Sequence, residues 1–174
     1  MFTRSLLAFL LCAAVGAQAD TPNLGRPIAP GDVAPWDISI PPDGTGLPPG
    51  SGTVAQGEAV YTATCQKCHG EKGVGKPNDP LVGGQGTLAA PAVAIKTVGS
   101  FWPYATTLFD YIRRAMPVTA PKSLTDDQVY AVSAYILHLN GIINENDTMT
   151  AQTLPAVRMP NRDGFVVFTR NQPR

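Results

Sequence analysis

Cysteine is scarce in this chain. Of 174 residues 3 are cysteines, and Cys12 lies inside an apolar N-terminal run, which leaves Cys65 and Cys68 for everything that follows. No structural disulfide is then available away from that pair. An excess of either charge is missing too, with Lys and Arg at 13 against Asp and Glu at 13. This balance gives no hint of the basic stripe that nucleic-acid phosphates demand, and no nucleic-acid partner is expected. Histidine is limited to His69 and the remote His138, so Cys65 and Cys68 have no second ligand pair with which to complete a zinc site. No later apolar run approaches the roughly 20 residues that a membrane span needs.

What is present begins with a leader. Met1-Phe2-Thr3-Arg4, the apolar run Leu6 to Val15 and the small-residue site Ala17-Gln18-Ala19 predict a secretory signal over residues 1–19, cut before Asp20. A retained anchor is the alternative, but the run is short for a span. Leu11 stands before Cys12 where a lipoprotein signal carries a small residue, which argues against lipid attachment. The mature chain is then expected in the periplasm, exported and without a membrane span.

Cys65-Gln66-Lys67-Cys68-His69 is the centre of the sequence. On a helix, residues three and four apart share a face, so both thiols and the imidazole leave together. C-x-x-C-H is the c-type haem attachment pattern, in which the thiols become thioethers and the next residue gives iron its proximal nitrogen. One motif implies one covalently attached haem c. A thioredoxin-like pair would require a strand before and a helix after; here a helical run precedes, and Gly70, Gly73 and Gly75 follow.

Residues 20–52 carry Pro22, Pro27, Pro30, Pro35, Pro41, Pro42, Pro48 and Pro49, which excludes a regular helix or central strand. They are expected to form an arm, docked on its own domain or on a partner through Trp36, Ile38 and Ile40, or else disordered. The globular domain is expected over residues 53–141. It opens with Thr53 and Gln56 in a capping-box pattern, followed by Val54, Gly57, Tyr61 and Cys65 at helical spacing. Residues 70–100 read as a long loop, which a compact domain tolerates when it wraps something. A second helix is predicted from Pro103 to about Ala115, ended by Pro117, which pushes Met116 out of the helical region. A third starts at Thr125, with Gln128 completing its capping box, and stops at Asn140-Gly141. The fold class is all-α. Residues 142–174 read as an extended tail, with one edge strand possible at Phe165-Val166-Val167-Phe168.

The sixth iron position decides between electron transfer and small-molecule binding. Met116, Met149, Met159 and His138 are the candidates. Met116 is favoured because it follows the haem motif in a stiff loop between two helices. Ligation by His69 and Met116 gives a raised potential, since a soft thioether favours ferrous iron. The outer nitrogen of His69 needs an acceptor, and the carbonyl of Pro80, or that of Pro77, is expected to supply it. Trp102, Tyr104, Arg113, Arg114 and Gln85 are nominated by type to bind the haem propionates. No residue is expected to be catalytic. The rival from another class is a haem enzyme or gas sensor whose sixth position is open.

Taken together, Gly57 and Tyr61 before the haem motif, then Met116-Pro117, then a helix with Tyr135, resemble a class I cytochrome c. That resemblance implies a first helix crossing the last, with Gly57 and Tyr61 against Tyr135. A narrower likeness runs through both arms. Trp36-Asp37-Ile38, the stretch Gly46 to Gly52, Thr97 to Thr107, Asp110 to Pro117 and Met159 to Phe165 resemble the cytochrome subunits of sulfur-oxidising molybdenum dehydrogenases, of the SoxD and sulfite dehydrogenase type. It implies a molybdenum-containing sulfur dehydrogenase subunit as electron donor and another cytochrome c or a terminal oxidase as acceptor.

Overall fold

The structure is a computed structural model that describes residues 25–89, 91 and 93–166. The leader, and Val167 and Phe168 of the expected edge strand, lie outside the described residues. The chain divides into two units, one ending at Asp37 and the other beginning at Ile38. In the first, a single helical turn, α1 (Pro30–Val33), departs from the expectation of no regular helix. Its proline occupies the first helical position, where the missing N–H costs nothing, and the Asp32 carboxylate accepts from Ala29 N at 3.0 Å.

The second unit is built on α2 (Val54–Thr64), α3 (Gln66–His69), α4 (Ala105–Ala115) and α5 (Asp126–Leu139). Two capping boxes set the starts of α2 and α5. Gln56 Oε1 accepts from Thr53 N and Gln128 Oε1 from Thr125 N, both at 2.9 Å, while each threonine hydroxyl accepts in return. These bonds satisfy N–H groups that a helix start leaves without partners. α4 begins at Ala105 rather than Pro103, because Tyr104 keeps an extended backbone as the N-cap. It ends at an extended Met116, as the following proline requires. Past α5, Gly141 takes a φ of +68°, a conformation that stops a helix cheaply only in glycine.

α2 crosses α5 where Gly57 meets Ala131. A β-carbon on Gly57 would overlap the Ala131 carbonyl, so the two backbones touch. One turn on, the Tyr61 and Tyr135 rings pack at 5.4 Å. On the other flank of α5, Phe109 of α4 meets Tyr130 at 4.5 Å. Tyr61, Phe109, Tyr130, Val132 and Leu137 are all within 1% of full burial, and aromatic burial of this kind dominates core energetics.

From Ile38 onward the flanks belong to the same unit. Strand β1 (Ser51–Thr53) pairs antiparallel with β2 (Thr148–Thr150), Gly52 opposite Met149. Gly52 also lies against the Ala131 backbone, where a side chain would clash. Tyr130 donates from its hydroxyl to Pro48 O at 2.8 Å, Ser51 N donates to Asp127, and Ile40 N donates to the buried Asp110 carboxylate. Ile40 from the arm and Met149, Leu154 and Met159 from the tail are buried in the core. The packed unit therefore extends on both sides of residues 53–141. Periodicity failed there because the buried residues come singly, Ile40 and Met159 in irregular chain, Met149 in a strand of 3 residues and Leu154 in a single tight helical turn.

Candidate functional site

Cys65 caps the end of α2, and the short α3 continues from it, with Cys68 N and His69 N both donating to the Cys65 carbonyl. The chain then reverses at Gly70, whose φ of +76° and lack of a β-carbon let it pass beneath the Gly75 carbonyl. Gly75 N donates to His69 O at 2.8 Å, and Asn78 N donates to Cys68 O at 2.9 Å. The Tyr61 hydroxyl donates to Gly70 O at 2.8 Å, tying the turn to the crossing helices. The loop thus folds back under the imidazole. His69 Nδ1 lies 2.9 Å from the carbonyl oxygen of Asp79. The expected acceptors, Pro80 and Pro77, are not the ones used. Pro80 instead restricts the residue before it to extended conformations, which keeps the Asp79 carbonyl out of a helical turn.

Above this loop lies a cavity of about 760 Å³, within the range of cofactor sites. Cys65, Cys68 and His69 line it, as do Leu81, Val98, Leu108, Ile112, Ile136 and Met116. Of the four candidates for a second iron ligand, Met116 is the one on this wall. Met149 and Met159 are buried elsewhere in the core, and His138 Nδ1 lies 3.4 Å from Ile143 O.

The residues nominated for propionates separate. Trp102 lines the cavity, its ring edge-on to Tyr111 at 5.7 Å, and Pro80 lines it as well. Tyr104 does not line it; Arg162 covers its ring at 4.5 Å. Arg113 is paired with Asp126 at 3.0 Å and Arg114 with Asp110, so both guanidiniums are held by carboxylates of α4 and α5. Gln85 donates to Asn140 O. Cations have nearby anions to satisfy before they reach a pocket, which residue type alone does not reveal.

Asn140 was legible only as a helix stop, yet it is a clasp. Its Nδ2 donates to Leu81 O and Ile136 O, and its Oδ1 accepts from Gly83 N. It holds the cavity-lining loop against the end of α5. Thr97 extends the hold, donating from its hydroxyl to Gly83 O.

Burial pushes the Cys65 thiol above its ordinary range, partly offset by the Thr64 hydroxyl 3.3 Å away. Desolvation also pushes Tyr61 up to about 12, with the neighbouring Cys65 adding to it. Among the described residues no cluster of three or more His, Cys, Asp or Glu side chains is suited to a bare metal ion. The donor set is instead two thiols and an imidazole on one wall and a thioether on another, around mostly apolar side chains. That chemistry fits a flat, covalently tethered haem.

The family model for cytochrome c oxidase, cbb3-type, subunit III, matches residues 52–136. A chain of the sulfane dehydrogenase SoxCD from Paracoccus pantotrophus is similar in structure, with a TM-score of 0.77 and 38% identity over 87% of this chain and 75% of that one. No curated protein sequence matches. Among the described residues no helix is long and apolar enough to cross a membrane.

Proposed function

This chain belongs to the class I c-type cytochromes, and from that membership we propose that it is a periplasmic monohaem carrier of single electrons. Residues 1–19 are its leader, and residues 53–141, with the flanking chain of the second unit packed on them, are its haem domain. Cys65 and Cys68 would hold one haem c through thioethers, and His69 and Met116 would ligate its iron. The observation that carries the reading is that His69 and Met116 line one cavity from separate elements, with the other nitrogen of His69 already engaged by a backbone carbonyl. When bound, the group supplies an Fe(III)/Fe(II) couple.

The residues of the chain do the rest. The Asp79 carbonyl orients the His69 ring and makes it a better ligand. Leu108, Ile112 and Ile136 exclude water, which disfavours the additional charge of the oxidised state and, with the Met116 thioether, raises the potential. His69 and Met116, if kept as ligands in both states, would leave little to reorganise on reduction. The chain itself makes and breaks no substrate bond.

The donor is a molybdenum-containing sulfur dehydrogenase subunit, and the acceptor is a downstream cytochrome c or terminal oxidase. Support for the donor comes from the likeness to a chain of a sulfane dehydrogenase. Stopped-flow mixing of the haem-loaded protein with such a dehydrogenase and its sulfur substrate tests the assignment. Reduction on the turnover timescale is expected, and its absence would end the donor assignment.

A further inference from the structure

Trp102 lies in a stretch, Phe101 to Tyr104, that is neither helix nor strand, so its place on the cavity wall depends on what holds its neighbours. The C-terminal segment holds them on both sides. Asn161 Nδ2 donates to Phe101 O at 2.7 Å, the Phe165 ring meets the Phe101 ring edge-on at 5.2 Å, and the Arg162 guanidinium lies over Tyr104. The segment is itself fixed. Met159 is 1% exposed, Arg162 N donates to Met159 O, and Gly164 N donates to Asn161 O. A β-carbon on Gly164 would overlap the Asn161 amide, so that turn packs directly against the side chain that grips Phe101. All of these gripping residues lie beyond the 52–136 stretch that the family model matches.

We propose that Asn161 and Arg162 are positioning residues for Trp102, and that the C-terminal segment thereby forms an outer support of the cavity wall and governs water access to it. The inference rests on the haem reading for its effect on potential, but not for its effect on Trp102. Removing either grip loosens one end of a four-residue stretch, at Phe101 leaving the Phe165 ring and the bond to Thr97 O as the remaining holds. The indole then spends more time away from Tyr111, and water enters beside it.

The experiment uses the full haem-loaded chain carrying Trp36→Phe, which leaves Trp102 as its one tryptophan. Acrylamide quenching of Trp102 is expected to rise roughly two- to ten-fold in Asn161→Ala and roughly two- to five-fold in Arg162→Ala, the factors that one lost hydrogen bond and one lost cation–π contact imply. Haem-quenched emission should recover and the midpoint potential should fall. Arg162→Lys, which keeps a cation near Tyr104, should restore most of the parent behaviour. Asn161→Asp, nearly isosteric but without the donor, should resemble Asn161→Ala. These two conservative variants decide the matter if the alanine variants do not fold. Trp102 quenching and potential equal to the parent's in folded variants would overturn the proposal, as would Arg162→Lys behaving like Arg162→Ala. Failure of the haem reading shows separately, as a parent with no visible absorption, and acrylamide access to Trp102 remains measurable in that case.

Discussion

Gly57 lies directly against the backbone of Ala131, with no space between them for a β-carbon. The helix that ends at Cys65 is therefore locked, at backbone distance, to the helix that ends at the Asn140 clasp. Gly57→Ala is expected to force the helices apart and to cost about 1–3 kcal/mol or more, as overpacking does in a close-packed core. Urea denaturation followed by circular dichroism measures it. Stability equal to that of the parent would mean that the crossing is looser than described.

Met116 and Met159 are predicted to fail in different ways when truncated. Met116→Ala should lose the weak far-red band of the oxidised protein and admit carbon monoxide to the reduced form, because it lines the cavity. Met159→Ala should keep both properties of the parent and lose about 2–5 kcal/mol of stability, the usual cost of emptying a core position. Visible spectra of the two variants distinguish them, and an intact far-red band in Met116→Ala would remove that residue as the ligand.

Asn140→Ala takes away bonds to Leu81, Gly83 and Ile136 together. Because the residue is 9% exposed, the orphaned backbone groups are poorly rehydrated, and a loss of about 1–3 kcal/mol is expected. Amide hydrogen exchange should show the loosening around Leu81 to Gln85 before any change in α4. Protection unchanged in that loop would contradict the clasp.

Alkali is expected to act through two tyrosines. Burial pushes both Tyr61 and Tyr130 up to about 12, against about 10 in an unfolded chain. The folded state holds the phenolic protons more tightly, so this contribution is complete below pH about 10 and is lost as pH rises toward about 12. Phenolate absorption from these residues should appear together with unfolding, and Tyr61→Phe should move that onset to higher pH. Smooth titration of every tyrosine near the ordinary value in a folded chain would refute this.

The sequence made the centre of the site readable because its chemistry is local. Cys65, Cys68 and His69 are fixed by a five-residue pattern, and Thr53 with Gln56 and Thr125 with Gln128 mark helix starts by bonds made within one turn. The place of Met116 on the cavity wall was legible for a similar reason, since Pro117 dictates the backbone on which it stands. Long-range partners were not. Arg113 looked free to meet a propionate until α5 brought Asp126 alongside it, and so did Tyr104, whose ring Arg162 covers. The acceptor for His69 was missed by one residue, because proline directs the carbonyl before it as well as its own. Docking of the arm through Ile40 was one of two alternatives open from the sequence, whereas the docking of the tail was not legible: a strand of three residues that buries one side chain leaves no period to detect.

The bond from His69 to Asp79 ends on the main chain. A peptide oxygen neither gains nor gives up a proton in ordinary water, whereas a carboxylate in its place would have offered a base beside the ligand. In the proposed carrier, an arriving electron would find no protonation to drag along at this contact. Its exchange would be a pure charge hop, insensitive here to the acidity of the surroundings.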